Sequence, residues 1–179
     1  MFDYGNRMTI HIRPLIQADA PVISSAFASA GAVKPVSTYL RYLSEQAAGT
    51  RFGWIAMADD QFAGYVTLNR APDYPGFAAL QIPEIQDLNV LPQFRRNSIG
   101  SRLLDRAESE AAKFSAVIGI GVGLHPGYNA AQRLYVMRGY VPDGLGVTYR
   151  NRYVEEYAPV TLDDDLLLHL TKRLHEIPS

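Results

Sequence analysis

The chain has 179 residues, a formal net charge of −1, 47% hydrophobic residues and 20% charged residues. That balance suits one globular domain over 1–179 and excludes a disordered chain or a general polyanion binder, so nucleic acid is not an expected partner. The chain has no cysteine, which rules out disulfides, cysteine nucleophiles and thiolate metal sites.

The N-terminal stretch MFDYGNRMTIHIRP lacks the apolar core of a signal peptide. No apolar run approaches the ~18 residues that span a bilayer. A cytoplasmic protein without membrane partners is the expectation. Lys34, Lys113 and Lys172 are the lysines among 17 basic residues; the others are arginines, whose planar fork suits phosphate.

Residues 8–13 (MTIHIR) alternate as a strand does, and Asp19 stands where it would cap a helix over 20–27. Residues 36–48 carry a helical pattern that ends at Gly49. Residues 51–58 and 62–69 read as two strands joined by a turn at Asp59, Asp60 and Gln61. A loop over 71–76 (APDYPG) follows, where Tyr74 and nearby Phe77 either line a binding site or simply pack.

A strand is expected over 81–90 and a helix over 99–114, with Ile99, Leu103, Ala107, Ala111 and Phe114 on one face. Residues 116–124 form a short apolar strand in which Gly119, Gly121 and Gly123 alternate with Ile and Val, leaving room for a close backbone neighbour. A helix over 129–138 closes at Gly139, and strands are expected over 147–153 and 166–172. The strand–helix–strand–helix order in the middle predicts parallel strands with helical crossovers, and the early hairpin predicts an antiparallel part. The expected class is α/β, a mixed sheet flanked by helices.

The richest stretch is Val90-Leu91-Pro92-Gln93-Phe94-Arg95-Arg96-Asn97-Ser98-Ile99-Gly100-Ser101. A strand ends, a polar loop turns and a helix begins. The first turn of a helix has amides without partners and the positive end of the dipole, a ready place for a diphosphate. Gly100 allows close approach, Ser98 and Ser101 add hydroxyls, and Arg95, Arg96 and Arg102 add charge. The plain alternative is a solvent-exposed helix start capped by Asn97 or Ser98.

This stretch resembles motif A of the GNAT superfamily of N-acetyltransferases. Arg95 matches its first position and Gly100 its last, while Ser98 and Arg96 replace frequent glycines, and Ser98 is expected to keep an ordinary helical φ. Asn129 to Tyr140 (NAAQRLYVMRGY) resembles motif B of the same family, in family order.

The resemblance implies a mostly antiparallel mixed sheet with central parallel strands that splay apart. It implies acetyl-CoA as cofactor, with the diphosphate on Arg95, Arg96, Asn97, Ser98, Ile99, Gly100 and Ser101. Leu88, Asn89 and Val90 would offer backbone groups to the pantetheine arm, and Asn129 would touch the cofactor too. Tyr135 would be the general acid for the thiolate, and a homodimer is compatible with the family.

A primary amine must lose a proton before it attacks, so a base is needed. Glu84 is the first candidate and Asp87 the second, with His11, His125 and His169 also available. The histidines are scattered, and Asp163-Asp164-Asp165 lacks the glycine and glutamate of a calcium loop, so no metal is expected. That run reads as a solvated turn. The expected activity is acetyl transfer to a small-molecule or protein amine by direct attack. The rival is a non-catalytic acyl-CoA sensor on the same fold.

Overall fold

The structure is a computed structural model that describes residues 8–175, so part of the N-terminal stretch read for a signal peptide lies outside the described residues. The elements are β1 (Ile10–Pro14), α1 (Asp19–Ser29), α2 (Val36–Ala47), β2 (Arg51–Ala58), β3 (Gln61–Asn69), α3 (Pro75–Leu80), β4 (Glu84–Val90), α4 (Ile99–Ala111), β5 (Val117–Gly123), α5 (Asn129–Met137), β6 (Val141–Tyr149), β7 (Arg152–Tyr153) and β8 (Leu166–Arg173). Contacts group the described residues into two compact units, one of residues 8–67 with 87–106, the other of residues 68–86 with 107–175. Among the described residues no helix is long and apolar enough to cross a membrane.

In the first unit β1 pairs antiparallel with β2, β3 lies beside β2 and β4 beside β3. Asp59 and Asp60 have φ of 46° and 63°, the left-handed pair of a two-residue hairpin turn, so Gln61 already belongs to β3. The core joins Ile23 and Phe27 of α1, Tyr39 and Tyr42 of α2, Ile55, Phe62, Tyr65 and Leu91. Asp19 does not cap α1 from outside. It is the first helical residue, and its carboxylate accepts from Arg13 at 2.6 and 2.8 Å and from the Ile16 amide at 2.8 Å. That ion pair ties β1 to the start of α1.

In the second unit the strand order is β4-β5-β8-β6-β7. The parallel ladder pairs Glu84 with Gly119 and Ile85 with Ile120; β8 runs antiparallel to both β5 and β6. The sheet is therefore mixed and mostly antiparallel, as expected. Two residues beyond Ile85, Asp87 takes a φ of 52°, a left-handed conformation inside a strand that breaks the extended run of β4.

Several local expectations change. The loop over 71–76 leads into α3, which starts at Pro75, where a missing N–H costs nothing. Tyr74 and Phe77 are fully buried. The single strand expected over 147–153 is split by Arg150 and Asn151, whose φ of 52° and 60° turn β6 into β7. β6 itself starts earlier, at Val141. The alternating glycines of β5 admit rings rather than backbone: a Cβ on Gly119 would lie 2.3 Å from Phe77, and one on Gly123 2.4 Å from Tyr128. The Asp163–Asp165 turn is bonded throughout, with Asp163 accepting from Tyr149 at 3.0 Å, Asp164 meeting His125 at 2.8 Å and Asp165 accepting from Arg150 at 3.1 Å.

His169 of β8 is fully buried. Its ring stacks on Tyr74 at 3.5 Å between centroids and 4° between planes. Tyr74 in turn donates to Asp143 at 2.6 Å. Burial makes the imidazolium costly and pushes the His169 pKa down to about 4, against a weaker opposing pull from Asp143. The unfolded chain takes up this proton near the usual ~6.5 and the folded chain resists it. Stability is therefore lost as pH falls from about 6.5 through about 4. Urea midpoints measured across that window are expected to fall, and His169→Gln is expected to flatten that limb; an identical slope in the variant would place the proton uptake elsewhere.

Candidate functional site

The junction between β4 and α4 is built from one irregular turn. Leu91 is buried and its amide bonds Ala63 at 2.9 Å, which anchors the end of the strand. A short 3-10 turn covers Pro92–Phe94. Arg96 and Ser98 then take φ of 65° and 60°. The helical φ expected for Ser98 is thus wrong: the residue keeps the left-handed backbone that a glycine would adopt, at a strain cost of roughly 1–2 kcal/mol for an L-residue. A left-handed residue followed by the helical Ile99 makes successive amides converge, the arrangement called a nest.

The Arg102 amide bonds the Ser98 carbonyl at 3.0 Å, which starts the helical ladder. Among the described residues the amides of Ser98 to Ser101 find no acceptor outside the helix, and the first helical amides have none within it. Asn97 does not cap the helix; its side-chain amide donates to the Phe94 and Arg95 carbonyls, each at 3.2 Å, and so braces the turn. Arg95, Arg96, Asn97 and Ser98 are exposed, while Ile99 is buried and pins the first helical turn. Arg95 also donates to the Val90 carbonyl at 3.2 Å. The turn offers several amides, a helix dipole and arginine charge to an anion.

In the second unit Tyr135 sits on α5 and is 5% exposed. Its ring lies 6.0 Å from Tyr140, whose hydroxyl donates to Glu108 at 3.0 Å. Glu108 also accepts from Arg138 at 2.9 Å and Lys172 at 2.7 Å, a cross-braced set that fixes the neighbouring ring. The Tyr135 hydroxyl has no hydrogen-bond partner among the described residues. Burial, with a smaller contribution from Tyr128, holds its pKa well above the usual phenol range. Asn129, the first residue of α5, is exposed.

Glu84, at the start of β4, is buried; its Oε2 accepts from Gln86 at 2.7 Å and its Oε1 lies 3.9 Å from Nε2 of His169. Asp87 lies in the other unit, accepting from the Tyr42 hydroxyl with Lys34 at 3.7 Å. Leu88, Asn89 and Val90 are half-buried, and Asn89 donates to the Tyr65 hydroxyl at 3.4 Å. His125 serves its own turn, accepting from the Gly127 amide at 3.1 Å through Nδ1. Sequence reading overlooked the burial of His169 against Glu84 and the bracing by Glu108. The 108–138–140–172 set joins residues far apart in the chain, and no local pattern in β8 marks His169 as inward-facing, since its burial does not alternate.

The model of the acetyltransferase (GNAT) family matches residues 22–140. No curated protein sequence matches the chain significantly. Among solved structures, the Salmonella typhimurium protein yncA, solved with its cofactor acetyl-CoA, is similar with a TM-score of 0.69 at 18% identity, over 95% of this chain and 96% of that one. An N-acetyltransferase from Staphylococcus aureus Mu50 is similar with a TM-score of 0.69 at 16% identity, over 93% of this chain and 99% of that one. The ribosomal-protein-S18-alanine N-acetyltransferase of Escherichia coli gives 0.69 at 14%, over 95% and 97%. At such identities the likeness is one of fold.

The left-handed serine yields a direct check. Ser98→Gly removes the strain but gives the unfolded chain more freedom, so the folded state is expected to gain roughly 0.5–1 kcal/mol. Urea unfolding measures this; a loss of stability would mean that the serine hydroxyl contributes more than its backbone costs.

Proposed function

Because the chain belongs to the acetyltransferase (GNAT) family, we propose that it transfers the acetyl group of acetyl-CoA to a primary amine by direct attack of the amine. The observation that carries this reading is the row of amides from Ser98 to Ser101, which among the described residues have no acceptor, at a helix start beside exposed arginines. The residues present fit a diphosphate there, since the nest and dipole supply donors and positive potential without reorganisation.

Acetyl-CoA supplies an activated acyl carbon and a thiol leaving group. In this proposal Asn97, Ser98, Ile99, Gly100 and Ser101 hold its diphosphate through backbone amides, while Arg95 and Arg96 add charge. Leu88, Asn89 and Val90 offer backbone groups to the pantetheine arm, and Asn129 contacts the same cofactor. With no cysteine in the chain to carry an acyl group, the amine attacks directly. Glu84 takes the proton that the amine gives up, and His169 lies next to that carboxylate.

Tyr135 acts as the general acid. Its raised pKa keeps the phenol protonated at neutral pH, so it donates to the departing thiolate rather than competing with it for charge. The acceptor is a small-molecule or protein amine, and a homodimer is compatible with the family.

Two substitutions test these roles. Tyr135→Phe is expected to lower kcat by roughly 10²-fold or more, the scale of a lost general acid, with little change in CoA affinity. Thiol release with a panel of amines and calorimetry with CoA measure the two quantities; equal loss of both would remove the acid role. Gly100→Val puts a branched side chain where the diphosphate must approach. It is expected to weaken CoA binding at least tenfold without lowering the melting midpoint comparably, and unchanged affinity would place the cofactor elsewhere.

A further inference from the structure

Lys34 stands on the connection between α1 and α2. Its ammonium is 3.7 Å from Oδ1 of Asp87 and 6.0 Å from the ring centroids of both Phe27 and Tyr65. The other carboxylate oxygen of Asp87 accepts from the Tyr42 hydroxyl. An ammonium thus meets a carboxylate and two aromatic faces, with a phenol holding the carboxylate's other oxygen, a set of groups that suits alkylammonium ligands.

The wall is buried and cross-braced, and the occupant comes from a loop. Phe27, Tyr42 and Tyr65 are buried core residues, and Phe27 meets Tyr65 edge-on at 5.9 Å. Tyr39 braces both tyrosines, at 5.3 Å from Tyr65 and 6.2 Å from Tyr42. Asp87 is held in a left-handed conformation inside β4, strained backbone of the kind that gathers at binding sites. Lys34, by contrast, lies in a loop with its side chain 26% exposed. Its 3.7 Å contact is longer than a hydrogen bond, so a half-exposed pair of this kind holds weakly.

We propose that the Asp87 carboxylate, the Tyr42 hydroxyl and the faces of Phe27 and Tyr65 form an ammonium-recognition site that Lys34 fills from within the chain, and that an alkylammonium ligand binds there by displacing it. Identifying this site with the amine acceptor's rests on the acetyl-transfer reading above; the binding itself does not. Lys34 then works as a built-in competitor. The apparent affinity for an external ammonium is the intrinsic affinity reduced by the fraction of molecules in which Lys34 has left.

The test is a titration of the full chain with n-butylammonium in the absence of CoA, followed by the amide NMR signals of residues 33–35 and 86–89, with butyrate at equal ionic strength as the control. Lys34→Gln removes the competitor and is expected to tighten n-butylammonium binding roughly fivefold or more. Asp87→Asn keeps a residue that tolerates the left-handed backbone and is expected to lose the binding in the Lys34→Gln background. Melting midpoints of both variants, expected close to that of the native chain, check that they fold. Binding no tighter in Lys34→Gln than in the native chain, binding that survives Asp87→Asn, or equal shifts with butyrate would each overturn the proposal. A chain that binds n-butylammonium but not CoA would keep the ammonium site and remove the acetyl-transfer reading; the reverse result would do the opposite.

Discussion

Among the described residues, the amides of Ser98 to Ser101 at the β4–α4 junction have no acceptor, and the chain on either side of them is tightly anchored. Leaving donors unpaired is tolerable only at the surface, and Arg95 to Ser98 are exposed there. The exposure is held by what lies on either side. The buried Leu91 and its bond to Ala63 fix the end of the strand, and the buried Ile99, Leu103 and Leu104 fix the start of the helix. Between these anchors the chain must reverse in a few residues, and Arg96 and Ser98 absorb the reversal in left-handed conformations.

Most left-handed residues, such as Asp59, Asp60, Arg150 and Asn151, make turns, but two others present polar groups. Asp87 is left-handed inside a strand and presents its carboxylate to Tyr42 and Lys34; Ser98 is left-handed before a helix and presents amides. Neither position carries a glycine, so each keeps a side chain where a more relaxed sequence would have none. The first unit offsets such costs with a dense aromatic core of Phe27, Tyr39, Tyr42, Phe62 and Tyr65.

The second unit uses buried polar groups differently. Glu108 gathers Arg138, Tyr140 and Lys172 around one carboxylate, and charge-assisted bonds of 2.7 to 3.0 Å hold them beside Tyr135. His169 is instead kept neutral among Tyr74, Phe77 and Thr148. One buried carboxylate is satisfied by cations, whereas one buried imidazole is packed between rings with its Nε2 left without a hydrogen bond. Each would be costly without its particular neighbours.

The amino-acid sequence by itself determined the order of the central elements and the long helix from Ile99, with donors exposed at its first turn, because periodicity, helix dipoles and free terminal amides are local properties. Motif resemblance supplied the family, which the match over residues 22–140 establishes. Only tertiary structure decided the left-handed φ of Ser98, the helix at Pro75 and the split at Arg150–Asn151. In each case the backbone follows what the neighbours require, such as Tyr74 and Phe77 packing against His169 and Gly119. The meeting of Lys34 with Asp87, and of Glu108 with Lys172, joins residues distant along the chain, and no local pattern encodes which of them a fold will bring within a few ångströms.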